Sequence, residues 1–366
     1  MNMNDLYLVA LFASIFFLTV LSTKAIILFL EKNNIKSVAN ERSSHFIPVG
    51  NGGGFGFLFI TITSLLFLLS IKSLEVNNVN YFLLASSAIG ITGYLDDILD
   101  IHQLPRFVIQ ILASLVVILF FSKFPKIYLL NFSLFDQYLL LLFGIFFLVW
   151  LTNLYNFMDG IDGLATIQGL FILLCYLVLI FPYETELSEV SDEKLLLLHS
   201  IIILGAGLSA FLIFNFPNSS IFMGDVGSSF LGFFLGSLGI FASANGWIYF
   251  WTLTIIWSMF LVDTTVTLLV RFMRGDKWYD AHRTHAYQKI CEIYMKKINK
   301  KFPEKSAART KTHRFVCSIY GLINLFWVLP LSILSIRYPT YGFLIAFLCF
   351  SPIVIGSLYF EAGKSD

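Results

Sequence analysis

Apolar residues in this chain come in long blocks. They show neither the alternation of a half-buried strand nor the three-to-four spacing of a surface helix. Eleven blocks with little or no charge stand out, over residues 6–30, 54–71, 79–95, 107–121, 138–154, 164–182, 195–215, 227–243, 247–270, 315–335 and 341–360. A helix needs roughly 20 apolar residues to cross a bilayer core, so each block predicts a spanning helix. The third, fourth and fifth are short. Barrel-type alternation is absent, which leaves helices as the spanning structure. The expected fold is all-α, a polytopic integral membrane protein with about eleven transmembrane helices in one domain. The first block is expected to remain as a span. It is long for a leader, lacks a preceding basic segment and is followed by no small-residue cleavage site.

Composition sharpens this picture. The chain has 366 residues, of which 57% are hydrophobic and 13% charged, with a mean hydropathy of +0.80 and a net charge of +1. Soluble domains carry about 25% charged residues, so a soluble enzyme and a disordered chain are excluded. The near-zero net charge argues against a nucleic-acid partner. Cys175, Cys291, Cys317 and Cys349 are scattered without a C-x-x-C pair, so neither a disulfide framework nor a cysteine metal site is expected. The many aromatic residues read as lipid-facing packing and interfacial anchors.

Charge sets the expected orientation. Residues 271–314 hold 13 of the 24 Lys and Arg with four acids, which reads as a basic cytoplasmic loop inserted in the domain. An additional role for it in holding anionic lipid or phosphate stays open. Residues 183–194 carry five acids and one Lys, and three blocks separate the two segments. Counting along the chain puts the N-terminus outside and the C-terminus in the cytoplasm.

Against this background five polar clusters stand out, and ionisable residues at membrane helices point to function. They are residues 41–54, 93–100, 153–163, 215–228 and 280–285, and they follow blocks one, three, five, seven and nine. All five therefore fall on the cytoplasmic face as one composite site. Asp96 and Asp97 are adjacent, Asp159 and Asp162 stand three apart, and Asp225 lies between Gly224 and Gly227. Convergent carboxylates beside permissive backbone suit Mg²⁺, which takes one or two carboxylates with substrate phosphates and water. Asn153 and Asn156 are placed to hydrogen-bond a base or sugar, and His282, Arg283 and His285 to donate to phosphate. Gly52–Gly54 allow close approach of a ligand or of another helix. Taken singly, Asp96–Asp97 also fits a solvated loop tip, and Asp100 and His45 read as loop residues. His102, His199 and His313 read as structural.

These motifs together resemble the polyprenyl-phosphate N-acetylhexosamine-1-phosphate transferases, glycosyltransferase family 4. The likeness spans roughly residues 41–288 with the clusters in the family's order. Residues 153–163 match N-x-x-N-x-x-D-G-x-D-G, 222–228 match F-M-G-D-x-G-S, and Asp96-Asp97 match the paired aspartates. His282-Arg283-Thr284-His285 resembles the H-R-x-H form of the branch that starts O-antigen or related surface glycans. The consecutive histidines of the cell-wall branch are absent. The resemblance implies ten or eleven helices and residence in the bacterial inner membrane with the active site facing the cytoplasm. It implies a UDP-N-acetylhexosamine and undecaprenyl phosphate as substrates and Mg²⁺ as cofactor, with Mn²⁺ as a substitute; a homodimer is compatible with it.

Roles follow by matched position. Asp96 resembles the acid that deprotonates the lipid phosphate or attacks as nucleophile, with Asp97 in support. Asp225 resembles the metal ligand. Asn156, Asp159 and Asp162 look like nucleotide-side contacts, with Asp159 also near the metal and the chemistry. Asn215 and Phe222 look like contacts to the uridine-sugar region, and His282, Arg283 and His285 like the diphosphate and sugar group. One departure is visible. Many members carry P-x-P-R-G-G-G in the first loop, where this chain has Pro48-Val49-Gly50-Asn51-Gly52-Gly53-Gly54. Arg42 or His45 is the expected replacement cation. Two other classes compete: a cation-coupled transporter, which would place its acids near the midplane and often in inverted repeats, and an inactive lipid-binding homologue.

Overall fold

A computed structural model describes residues 3–33, 50–71, 76, 78–121, 125–129, 132–134, 136–181, 190–277, 282–299 and 305–364. Arg42 and His45 lie outside the described residues. The chain runs through α1 (Met3–Lys32), α2 (Gly54–Ser70), α3 (Val79–Leu99) and α4 (Gln103–Phe121) to a short hairpin, β1 (Ile127–Leu129) and β2 (Phe132–Leu134). It continues through α5 (Gln137–Phe157), α6 (Leu164–Ile180), α7 (Asp192–Asn215), α8 (Gly224–Ala244), α9 (Phe250–Ile256) and α10 (Ser258–Met273). The last elements are α11 (Ala286–Asn299), α12 (Lys305–Ile323), a π-helical turn (Asn324–Val328), α13 (Leu329–Arg337) and α14 (Gly342–Tyr359).

The architecture is helical, with the antiparallel β1–β2 pair as its only described sheet. Each of the eleven apolar blocks became a helix or a bent helix pair. Seven helical segments are long and apolar enough to cross a membrane, and α9–α10 form a further candidate bent by 79° at its break. Three shorter apolar helices, α2, α4 and α6, complete the set. The protein is thus a multi-pass membrane protein by the length and composition of its helices.

Helix α8 is the centre of the bundle. Its membrane window is buried throughout, whereas that of α1 is 17% buried and faces outward. Small residues let neighbours reach it, the usual means of close helix packing in lipid. A Cβ on Gly54 of α2 would lie 2.3 Å from the Cα of Gly227 in α8, and one on Gly93 of α3 would lie 2.3 Å from the carbonyl oxygen of Asp225. At Gly54 the packing alternative for the glycine triplet is therefore the one observed.

The basic segment 271–314 is largely helical. It holds α11 and the start of α12, which continues through the π turn into α13 as one 32-residue candidate span, Ser306–Arg337. Near the chain end, the Gly363 backbone N–H donates to the Thr284 carbonyl at 2.8 Å. The C-terminus and the H-R-T-H cluster therefore share one end of the bundle.

Candidate active site

The described parts of all five polar clusters meet at one end of the helices. The end of the first cluster pairs with the segment that leads into α8. The Phe222 N–H donates to Gly50 O, Gly53 N–H to Phe222 O and Gly54 N–H to Met223 O, each at 2.9 Å. This zipper carries Asn51 to Asp97. The Asn51 amide donates to Asp97 Oδ1 at 2.8 Å. Asn51 stands where many members of the resembled family carry the arginine of P-x-P-R-G-G-G.

Asp97 also accepts from the backbone N–H groups of Asp225 at 3.0 Å and Val226 at 3.2 Å. These are first-turn donors of α8 that have no partner within the helix, and a carboxylate is favoured at that positive helix end. Asp97 therefore seats α8 and, with it, Asp225. Asp96, one residue earlier, meets the side chain of Asp225 where Asp97 meets its backbone. It accepts from the Ile101 N–H at 2.9 Å and forms an ion pair with Arg106 of α4. The other terminal nitrogen of Arg106 lies 3.2 Å from Asp225 Oδ2. Arg106 thus joins Asp96 to Asp225.

Asp159 lies in the turn between α5 and α6. Among the described residues its side chain makes no hydrogen bond or ion pair. It keeps some solvent contact, but the surrounding protein, and then the carboxylates of Asp225, Asp97 and Asp162, push its carboxyl well above the usual carboxylate range. Asn156 of α5 donates to Ser228 Oγ at 2.9 Å, while Asn153 exchanges hydrogen bonds with Gln110 of α4 at 2.6 and 3.2 Å. The first amide ties α5 to α8 and the second ties α5 to α4.

Two residues expected at the ligand lie inside the protein instead. Asp162 is 2% exposed, and both its carboxylate oxygens accept from Arg309 of α12. Asn215 is 4% exposed; its Oδ1 accepts from the Gly163 N–H at 3.0 Å and its Nδ2 donates to Ile221 O at 3.2 Å. A buried group with its polar atoms engaged reaches a ligand only by leaving those partners unsatisfied, at about 1–3 kcal/mol or more for a charged group. Phe222 remains partly exposed beside them.

The fifth cluster splits in the same way. Arg283 is exposed, His282 is half-buried and His285 is 2% exposed. The His285 ring lies against Phe157, His282 and Tyr287, with Nδ1 3.6 Å from Asp263 Oδ1. Burial, then the charges of His285 and Arg271, depress His282 to about 3, so it is neutral at pH 7. Asp263 caps α11, accepting from the Ala286 N–H at 2.8 Å, the Tyr287 N–H at 3.2 Å and the Tyr320 hydroxyl at 2.9 Å. The Tyr287 hydroxyl donates to Phe157 O at 3.1 Å, which docks α11 on the turn that carries Asp159.

The sequence reading missed Arg106, Asn51 and Asp263. Asp263 had a signal, a lone acid deep in an apolar block. Arg106 stands just before an apolar block, where a basic residue reads as an interfacial flank.

No ready-made cluster of three His, Cys, Asp or Glu groups exists among the described residues. The donor chemistry nevertheless fits Mg²⁺, which needs only one or two carboxylates beside substrate oxygens and water. Among the described residues Asp159 has no cation partner, and it lies within electrostatic reach of Asp225.

Fold and site together define a multi-pass membrane protein with an acid-rich centre at one end of its helices. Residues 79–243 match the model of glycosyl transferase family 4. A phospho-N-acetylmuramoyl-pentapeptide-transferase of Streptococcus gordonii is 30% identical over 269 residues, covering 69% of this chain and 78% of that protein. The protein of the same name from Streptococcus pneumoniae serotype 2 is 28% identical over 267 residues with the same coverage. The chain belongs to glycosyl transferase family 4.

Proposed function

We propose that the protein transfers a sugar 1-phosphate from a UDP-N-acetylhexosamine to undecaprenyl phosphate, releasing UMP and forming the undecaprenyl-diphospho-sugar. The observation that carries this reading is the convergence of Asp96, Asp97, Asp159 and Asp225, with Arg106 between two of them, at helix ends. A lipid phosphate reaches helix ends from the membrane and a nucleotide sugar reaches them from water. A transporter would place its acids near the midplane, whereas Asp96, Asp97, Asp159 and Asp225 gather at helix ends.

The reaction exchanges one diphosphate linkage for another. A lipid phosphate oxygen attacks the sugar-bearing phosphorus, a P–O bond forms, and the bond to UMP breaks. Positioning and charge neutralisation carry most of such a transfer. Asp96 is the acid beside the incoming lipid phosphate. Asp97 holds the start of α8 and so the direction of Asp225. Asp225 and Asp159 would hold Mg²⁺, or Mn²⁺ in its place, which supplies neutralisation of the diphosphate. Asn156, Phe222, His282 and Arg283 line the approach of the nucleotide sugar; His282 serves there as a neutral hydrogen-bonding ring. Asn153 ties α5 to α4 beside that surface, and Asp162, Asn215 and His285 act behind it.

The site faces the cytoplasm of a bacterial inner membrane in this reading, and the H-R-x-H form favours the first membrane step of an O-antigen-like surface glycan. The streptococcal relatives favour a second donor, one carrying phospho-N-acetylmuramoyl-pentapeptide. A panel of UDP-sugars, including that donor, assayed with undecaprenyl phosphate and Mg²⁺ decides between them by UMP release. Release from a plain N-acetylhexosamine donor is expected; no release from any donor would sink the transferase reading.

A further inference from the structure

We propose that Arg309 is a positioning residue for the transfer, setting Asp159 against Asp225 from the far end of the chain. This rests on the transferase reading above. Arg309 lies outside the segment matched by the family model and is one of the 13 basic residues of the segment 271–314. Topology explains a basic residue that faces water at a membrane surface. It does not explain Arg309, which is 5% exposed.

Three successive turns of α12 converge on one residue of the Asp159 turn. An Arg309 terminal nitrogen donates to the two oxygens of Asp162 at 2.8 and 3.0 Å. Four residues on, His313 Nδ1 lies 3.0 Å from Asp162 Oδ2. Four further on, the Cys317 thiol donates to the Asp162 carbonyl at 3.4 Å. The same Arg309 nitrogen lies 3.3 Å from Ser219 Oγ, which itself donates to Asp162 Oδ1 at 2.7 Å. Asp162 is three residues from Asp159, and Ser219 is six residues from Asp225.

The brace therefore ties together the turn that carries Asp159, the segment that leads into Asp225, and α12. The buried amide of Asn215 ties the first two a second time, through Gly163 and Ile221. A buried ion pair adds little net stability over well-packed apolar residues, whereas reacting groups misplaced by about 1 Å lose rate by about 100-fold. Its value here lies in geometry.

The test uses the full-length protein in nanodiscs, with Arg309→Gln, Arg309→Lys and the paired Asp162→Asn/Arg309→Gln. Each is followed by melting temperature, by kcat and KM, and by Mn²⁺ affinity from electron paramagnetic resonance. Arg309→Gln is expected to lower kcat about tenfold or more, to weaken Mn²⁺ binding, and to leave the KM for undecaprenyl phosphate within about twofold. Arg309→Lys should recover most of the turnover. The paired variant removes both members of the buried Arg309–Asp162 pair, so it should melt closer to the wild type than Arg309→Gln does and still be slow. A paired variant with wild-type melting and wild-type kcat overturns the proposal. So does a loss of turnover that tracks melting temperature across all three variants. If the wild type releases no UMP from any donor, the transferase reading fails; Mn²⁺ affinity unchanged in Arg309→Gln would then overturn the brace independently.

Discussion

Arg106 of α4 reaches Asp225 of α8 at 3.2 Å while its other terminal nitrogen pairs with Asp96 of α3. One guanidinium thus joins the acid assigned to the lipid phosphate to the acid assigned to the metal. Both contacts are partly shielded: Arg106 is 21% exposed, Asp96 9% and Asp225 33%. Screening by water is therefore incomplete.

Arg106→Gln removes that cation and leaves two carboxylates facing each other. The variant should lose about 1–3 kcal/mol of stability and lower turnover by about 10²-fold or more. Its melting temperature should rise more on addition of Mg²⁺ than the wild type's, because the ion then supplies the missing charge. Thermal melting in detergent with and without Mg²⁺ checks this, and equal rises would remove Arg106 from the metal's neighbourhood.

Asp159→Asn should stabilise the protein at neutral pH while it removes turnover. The folded Asp159 carboxyl titrates well above its unfolded value of about 3.9. Between those two values the folded state holds the extra proton, so stability falls as pH rises through that window. Asparagine abolishes the effect, so the gain should be present at pH 7 and vanish below about pH 4. Melting curves of the two proteins from pH 4 to 8 read it directly. A variant less stable than the wild type at pH 7 contradicts the assignment.

Gly93→Ala tests the contact that seats Asp225. The added carbon would meet the Asp225 carbonyl oxygen at 2.3 Å, and backbone atoms cannot rotate away. Overpacking of this kind costs about 1–3 kcal/mol, and the shift of α8 against α3 should reduce turnover as well. A variant with the melting temperature and rate of the wild type would show that the two helices are less closely apposed.

Asp225→Asn keeps size and shape and removes the negative charge. It should insert and purify as the wild type does, with turnover lowered by about 10²-fold or more and Mn²⁺ binding weakened. Full activity would remove Asp225 from the metal role.

Orientation has its own check. A reporter fused after Asp366 should read cytoplasmic, since the C-terminus shares one end of the bundle with the H-R-T-H cluster. A periplasmic signal would overturn the assigned face of the site.

The blocks of apolar residues determined most of the fold. Lipid admits only segments that satisfy their own backbone, so the blocks located the apolar helices, and α3, α5, α8 and α14 lie close to where the pattern placed them, whereas α11 lies in the segment whose charge read as a loop. The scarcity of charge also made Asp96, Asp97, Asp159 and Asp225 conspicuous, and the parity of the clusters brought them to one end. Division of labour among those polar residues was not legible. Asp159 and Asp162 look alike in D-G-I-D-G, yet one keeps some solvent contact and the other is buried on Arg309. His282 and His285 look alike in H-R-T-H, yet one is half-exposed and the other lies beneath it on Asp263. The partners that separate them, Arg106, Asp263 and Arg309, come from helices distant in sequence or from segments whose charge reads as topology. Only tertiary packing sets which side of a turn faces the site and which cation reaches which acid, because those contacts depend on helix approach through Gly54 and Gly93 and not on local pattern.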